Sequence, residues 1–123
     1  NGQTIEHPMV PRLTPKLHFG KNTVSSPSVL AFRASSEHFF DENLIWLMDV
    51  EFYARLWKDY GDPIILPDTL IANRLHTDQV SQKVDRNIQK RELDYVLRKS
   101  ASFTKISGYL EYAKRRAKTF FPK

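Results

Sequence analysis

Leu44, Met48, Phe52 and Leu56 recur at four-residue steps, with Leu47, Tyr53 and Trp57 alongside. This spacing predicts an amphipathic helix from Leu44 to Tyr60. Its start is open: Asp41 or Asn43 would cap an early beginning and Asp49 a later one. Gly61 stops it, with Pro63 two residues on. A second helical pattern begins near Ser81 with Val84, Ile88, Tyr95 and Val96. A third joins Ile106, Tyr109, Leu110, Ala113, Ala117, Phe120 and Phe121, opposite Lys114, Arg115, Arg116 and Lys118.

Shorter apolar runs read as strands. Val29 to Arg33 follows Pro27, Ile64 to Leu66 lies between Pro63 and Pro67, and Thr69 to His76 ends in polar residues. Residues 1–19, with Pro8, Pro11 and Pro15, read as an irregular lead-in, and Gly20-Lys21-Asn22 as a turn. The expected fold class is α/β, or α+β as a fragment, with two or three short strands and about three helices. So few short strands do not complete a sheet by themselves. The opening Asn1-Gly2-Gln3-Thr4 has neither a start Met nor a signal-peptide pattern and reads as the middle of a longer protein.

Composition narrows the class. The 123 residues are 41% hydrophobic and 12% aromatic, enough for a core and against disorder of the whole chain. No apolar run approaches the ~20 residues of a membrane span. There is no Cys, which excludes disulfides and thiolate metal sites. Charge divides the chain in two. Residues 1–82 hold 7 Lys/Arg and 10 Asp/Glu, a net of −3, and residues 83–123 hold 12 and 4, a net of +8. We read a mildly acidic body over 1–82 and a basic helical extension over 83–123. The basic amphipathic stretch 103–121 suits an anionic membrane surface or a partner protein. No nucleic-acid-binding motif accompanies its charge.

Candidate chemistry is sparse. The four His residues are scattered and there is no Gly-rich phosphate loop. Asp49 and Glu51 lie about 200° apart around a helix, so they do not pair on one face. Spacing alone suits a capping Asp49 and a Glu51–Arg55 pair. Arg74 and His76 share one side of a strand end and together suit an anion. Ser25, Ser26 and Ser28 suit either a sugar or phosphate, or turn chemistry around Pro27.

Read together, several segments resemble family 2 glycosyltransferases. They are Asn22 to Arg33; Phe40 to Leu44 with Leu47-Met48-Asp49-Val50-Glu51 through Leu56; Tyr60 to Pro67; and Asn73-Arg74-Leu75-His76 through Ser81. The resemblance covers roughly residues 20–82. It implies the C-terminal, acceptor-side part of an inverting GT-A, Rossmann-like domain, moving a sugar from a nucleotide-sugar donor to an acceptor hydroxyl. Acceptors of the family include polysaccharides, lipid-linked glycans and glycoproteins.

By the same resemblance Asp49 is the catalytic base, and Met48 stands where relatives carry Glu. Glu51 replaces a second Asp and is placed, with Ser28 and Trp46, on the acceptor side. Arg74 and His76 are placed at the diphosphate, His76 also as neighbour of a divalent Mg or Mn ion. Relatives hold that ion with an upstream Asp-x-Asp, which this chain lacks. The chain alone is therefore expected to be inactive. A cytoplasmic location at the inner membrane face and self-association through uncovered surface complete the expectations.

Overall fold

The computed structural model describes residues 9–73, 79, 83–100, 110, 113, 114 and 117. Among them are two α-helices, α1 (Met48–Tyr60) and α2 (Arg86–Lys99), and two short 3-10 turns, Pro15–Phe19 and Pro27–Val29.

Helix α1 begins four residues later than the earliest apolar position of its stripe. Leu47 stands at its cap and offers no side-chain acceptor. Its end is the expected one: Gly61 takes φ 78° and its amide returns to the Trp57 carbonyl. Helix α2 is capped by Asp85, whose carboxylate accepts from the Asn87 and Ile88 amides at 2.7 and 3.0 Å. Such a cap contributes ~1 kcal/mol. Arg98 and Lys99 in the last turn complement the helix dipole.

One core ties these elements together. Val50, Tyr53 and Ala54 of α1 meet Leu93, Val96 and Leu97 of α2, with Leu44 and Leu47 before α1 and with Leu17 and Val24. Leu17 is completely buried, so part of the lead-in is core rather than loop. The chain leaves that 3-10 turn through Gly20 at φ 70°. A β-carbon there would sit 2.8 Å from the Leu93 Cδ1, so both the backbone and the packing call for glycine. On its other side α1 buries Phe52 beneath Phe32 and Phe40, at ring distances of 5.3 and 4.6 Å.

The expected Rossmann-like sheet is corrected by these observations. No β-strand occurs among the described residues, and the two α-helices carry the regular structure. The physical reason is the lack of strand partners. Val29 closes a 3-10 turn instead of opening a strand, and no backbone hydrogen bond joins 31–33 to another described residue. Ile64, Ile65 and Leu66 lie between two prolines that cannot donate, and Ile64 is 90% exposed. Thr69 to Asn73 is irregular and exposed, and Arg74 to His76 lies outside the described residues. An apolar run becomes a strand only when a neighbour takes up its amides and carbonyls.

Of the third helix expected over 103–121, Leu110, Ala113, Lys114 and Ala117 are described, all helical and exposed. No helix among the described residues is long and apolar enough to cross a membrane.

Candidate active site

Asp49 lies in the first turn of α1, half-buried. Its Oδ2 accepts from the Asn22 side-chain amide at 2.8 Å and its Oδ1 from the Val50 amide at 2.7 Å. Burial pushes its carboxyl above the usual range, against the downward pull of the Val50 and Asp49 amides and Asn22. No Lys or Arg among the described residues forms an ion pair with it. One turn on, burial and then the Asp49 charge raise the Tyr53 phenol well above its ordinary value. Tyr53 therefore stays protonated and donates to the Ser25 carbonyl at 3.1 Å.

Among the described residues, Ser25 is the non-glycine residue with positive φ, at 108°. Such a backbone costs ~1–3 kcal/mol and persists where neighbours over-determine it. Here they do. Asn22 Oδ1 accepts from the Ser25 amide, and Asn22 Nδ2 and the Tyr53 hydroxyl donate to the Ser25 carbonyl. Asn73 Nδ2 donates to Ser25 Oγ at 3.2 Å.

The same Asn73 gathers the other serines. Ser26 Oγ and Ser28 Oγ lie 2.6 Å apart and both reach Asn73 Oδ1, at 2.9 and 3.3 Å. Three hydroxyls and a carboxamide thus form one polar surface, half-buried at Ser25 and Ser26 and exposed at Ser28 and Asn73, linked to Asp49 through Asn22. In the chain, Asn73 directly precedes Arg74.

The structure brings Asp49 and Ser28 into this one network. Trp46 instead packs against the core. Glu51 turns to the other side of α1. It is 5% exposed, and its carboxylate is held by Arg55 at 3.0 and 3.1 Å and by Lys99 at 2.9 Å. Arg74 and His76 lie outside the described residues. Among those described, no three His, Cys, Asp or Glu side chains are placed to hold a metal ion.

The network around Glu51 extends to Asp41, which accepts from Lys99, from Tyr95 at 2.9 Å and from both Asn43 nitrogens. Burial pushes the Asp41 carboxyl up, but these donors, Lys99 foremost, outweigh it and hold the group well below the usual carboxylate range.

Sequence reasoning passed over three residues. Asn22 and Asn73 read as turn and strand-end residues. Glu92 was not singled out, yet it is 1% exposed and accepts from three consecutive amides leading into α1: Ile45 and Trp46 at 2.8 Å and Leu47 at 2.9 Å. Its signal was present: Ile88, Glu92 and Val96 fall at four-residue steps, which sets a carboxylate in an apolar stripe.

Comparison with family models, with curated proteins and with solved structures gave no match to this chain.

Proposed function

We propose that this chain provides the acceptor side of a sugar transfer, with Asp49 as general base. The observation that carries the reading is a half-buried carboxylate, without an ion-pair partner among the described residues, beside a surface of hydroxyls and a carboxamide. A carboxylate that burial has made more basic is suited to taking a proton from a neutral alcohol. Ser25, Ser26, Ser28 and Asn73 offer donors and acceptors of the kind that sugar hydroxyls match. The resemblance of residues 20–82 to family 2 glycosyltransferases names the reaction class.

In the reaction, an acceptor hydroxyl gives its proton to Asp49 as its oxygen bonds to the anomeric carbon of the donor. The bond from that carbon to the diphosphate oxygen breaks, and its electron pair leaves with the nucleoside diphosphate. Attack from the opposite face inverts the anomeric centre. A positioned base of this type contributes about 10²–10⁴-fold to the rate.

The test is a saccharide panel screened by saturation-transfer NMR on the 123-residue chain, with the Asp49→Asn and Ser28→Ala variants beside it. Expected is a bound saccharide whose hydroxyl-bearing face takes up saturation, with the signal reduced in both variants. Saccharides that bind neither chain nor variants, or bind all three equally, would refute the reading.

A further inference from the structure

We propose that Asn22 is the positioning residue of this site: its side-chain amide fixes one Asp49 oxygen in place and leaves lone pairs of the carboxylate open to a ligand hydroxyl. The inference rests on the reading of Asp49 as a base.

The geometry of Asn22 admits one orientation. Its Oδ1 accepts from the Val24 amide at 3.0 Å and the Ser25 amide at 2.9 Å. Its Nδ2 donates one hydrogen to the Ser25 carbonyl at 2.9 Å and the other to Asp49 Oδ2 at 2.8 Å. Flipping the amide would point oxygen at two acceptors and NH2 at two amide hydrogens, so all four bonds would be lost together. Asn22 is thus a rigid post, fully bonded, between the strained Ser25 and the carboxylate of α1.

A carboxylate has about four lone-pair sites. Among the described residues Asn22 and Val50 take one on each oxygen and the Asp49 amide also acts on the carboxylate, which leaves lone-pair capacity for an O–H. A neutral donor suits a base. A lysine or arginine in the same place would hold the proton off far more strongly, as Lys99 does at Asp41. Among the described residues, the groups that face Asp49 are Tyr53 from α1, which stays protonated, and the uncharged loop 22–28.

The experiment follows the Asp49 carboxyl by carbon-detected NMR across pH in the wild-type chain, in Asn22→Asp and in Asn22→Ala, with a thermal melt of each. Asn22→Asp keeps the acceptor that forms the turn and removes the donor to Asp49. The expected result is an upward move of the Asp49 midpoint in both variants, larger in Asn22→Asp, and at least ten-fold weaker binding of any saccharide found above. An unchanged midpoint in a variant that melts like wild type overturns the proposal. If Asn22→Asp melts far below wild type, Asn22→Ser, which keeps a short acceptor for the turn, decides by the same criterion. A midpoint that responds while no form binds a saccharide supports the hold of Asn22 on Asp49 and overturns the reading of Asp49 as base. Saccharide binding that needs Asp49, with an unresponsive midpoint, overturns the role of Asn22 alone.

Discussion

Helix α1 carries two carboxylates two residues apart, and its two sides treat them in opposite ways. On one side Glu51 is nearly sealed and bound by Arg55 and Lys99, with Asp41 beside it under the same lysine. On the other side Asp49 is half-buried and meets neutral donors. Ionic partners hold the Asp41 carboxyl down, while burial pushes the Asp49 carboxyl up. The difference separates two uses of an acid. A carboxylate saturated by cations stabilises the fold and is a poor base. One denied cations costs stability and is ready for a proton.

The strongest perturbation of this arrangement lies beneath it. Glu92 anchors the three amides that lead into α1 and so sets the helix on which both faces depend. Glu92→Ala leaves three amides without their acceptor and a space in the core. We expect a loss of about 3 kcal/mol or more in urea unfolding. Glu92→Gln, which keeps one acceptor oxygen, is expected to lose roughly half as much. A Glu92→Ala chain as stable as wild type would show that α1 is placed by its apolar contacts alone.

The next effect falls on the ionic side. Glu51→Gln removes the charge that Arg55 and Lys99 share and leaves both cations facing a neutral amide. The expected cost is about 2 kcal/mol, read from urea unfolding at neutral pH. Little or no loss would reduce this network to the level of an exposed salt bridge.

How much of this contrast was legible in the sequence depends on the range of each interaction. Helical spacing located α1 and α2, and Gly61 marked the end of α1, because these signals are carried by neighbours in the chain. The Glu51–Arg55 pair was visible for the same reason, at four residues' separation. Strands were misread because an apolar run such as Ile64 to Leu66 states only that it is apolar; the partner that would make it a strand is nowhere in its own spacing. At the site, Asp49 and Ser28 were singled out from the chain. What links them, Asn22 across 27 residues and Asn73 across 45, comes from tertiary approach. Asn22 announced a turn through its oxygen, and the turn leaves its nitrogen free to reach α1.

A smaller effect concerns acid. The Asp41 carboxyl is depressed in the folded chain, so its stabilisation is present above its unfolded value, near 3.8, and is lost as pH falls toward the folded value. Lys99→Met removes the leading cause of that depression. We expect a shallower loss of stability between about pH 5 and 2 than in wild type, measured by urea midpoints at each pH. An equal slope in both chains would place the acid sensitivity elsewhere, His18 being the first place to look. Burial lowers the His18 imidazole, so its contribution is lost as pH falls below its usual value of 6.5.

The smallest expected change in stability is the most telling for function. Asp49→Asn keeps the shape of the side chain and an oxygen for the Asn22 amide, gives up the acceptor that the Val50 amide uses, and removes a charge that burial makes costly. Its folded value is raised, so the carboxylate form weighs against the fold once pH rises through that value, and the neutral amide is spared this cost. Urea unfolding at neutral pH should place Asp49→Asn within about 1 kcal/mol of wild type and on the stable side. Glu51→Gln, the same chemical change two residues away, moves in the opposite direction. If Asp49→Asn instead destabilises the chain as Glu51→Gln does, both acids serve the fold alike and the two sides of α1 do not differ in purpose. If it stabilises the chain and abolishes saccharide binding, the fold has kept a costly charge at a place where a hydroxyl proton can be taken.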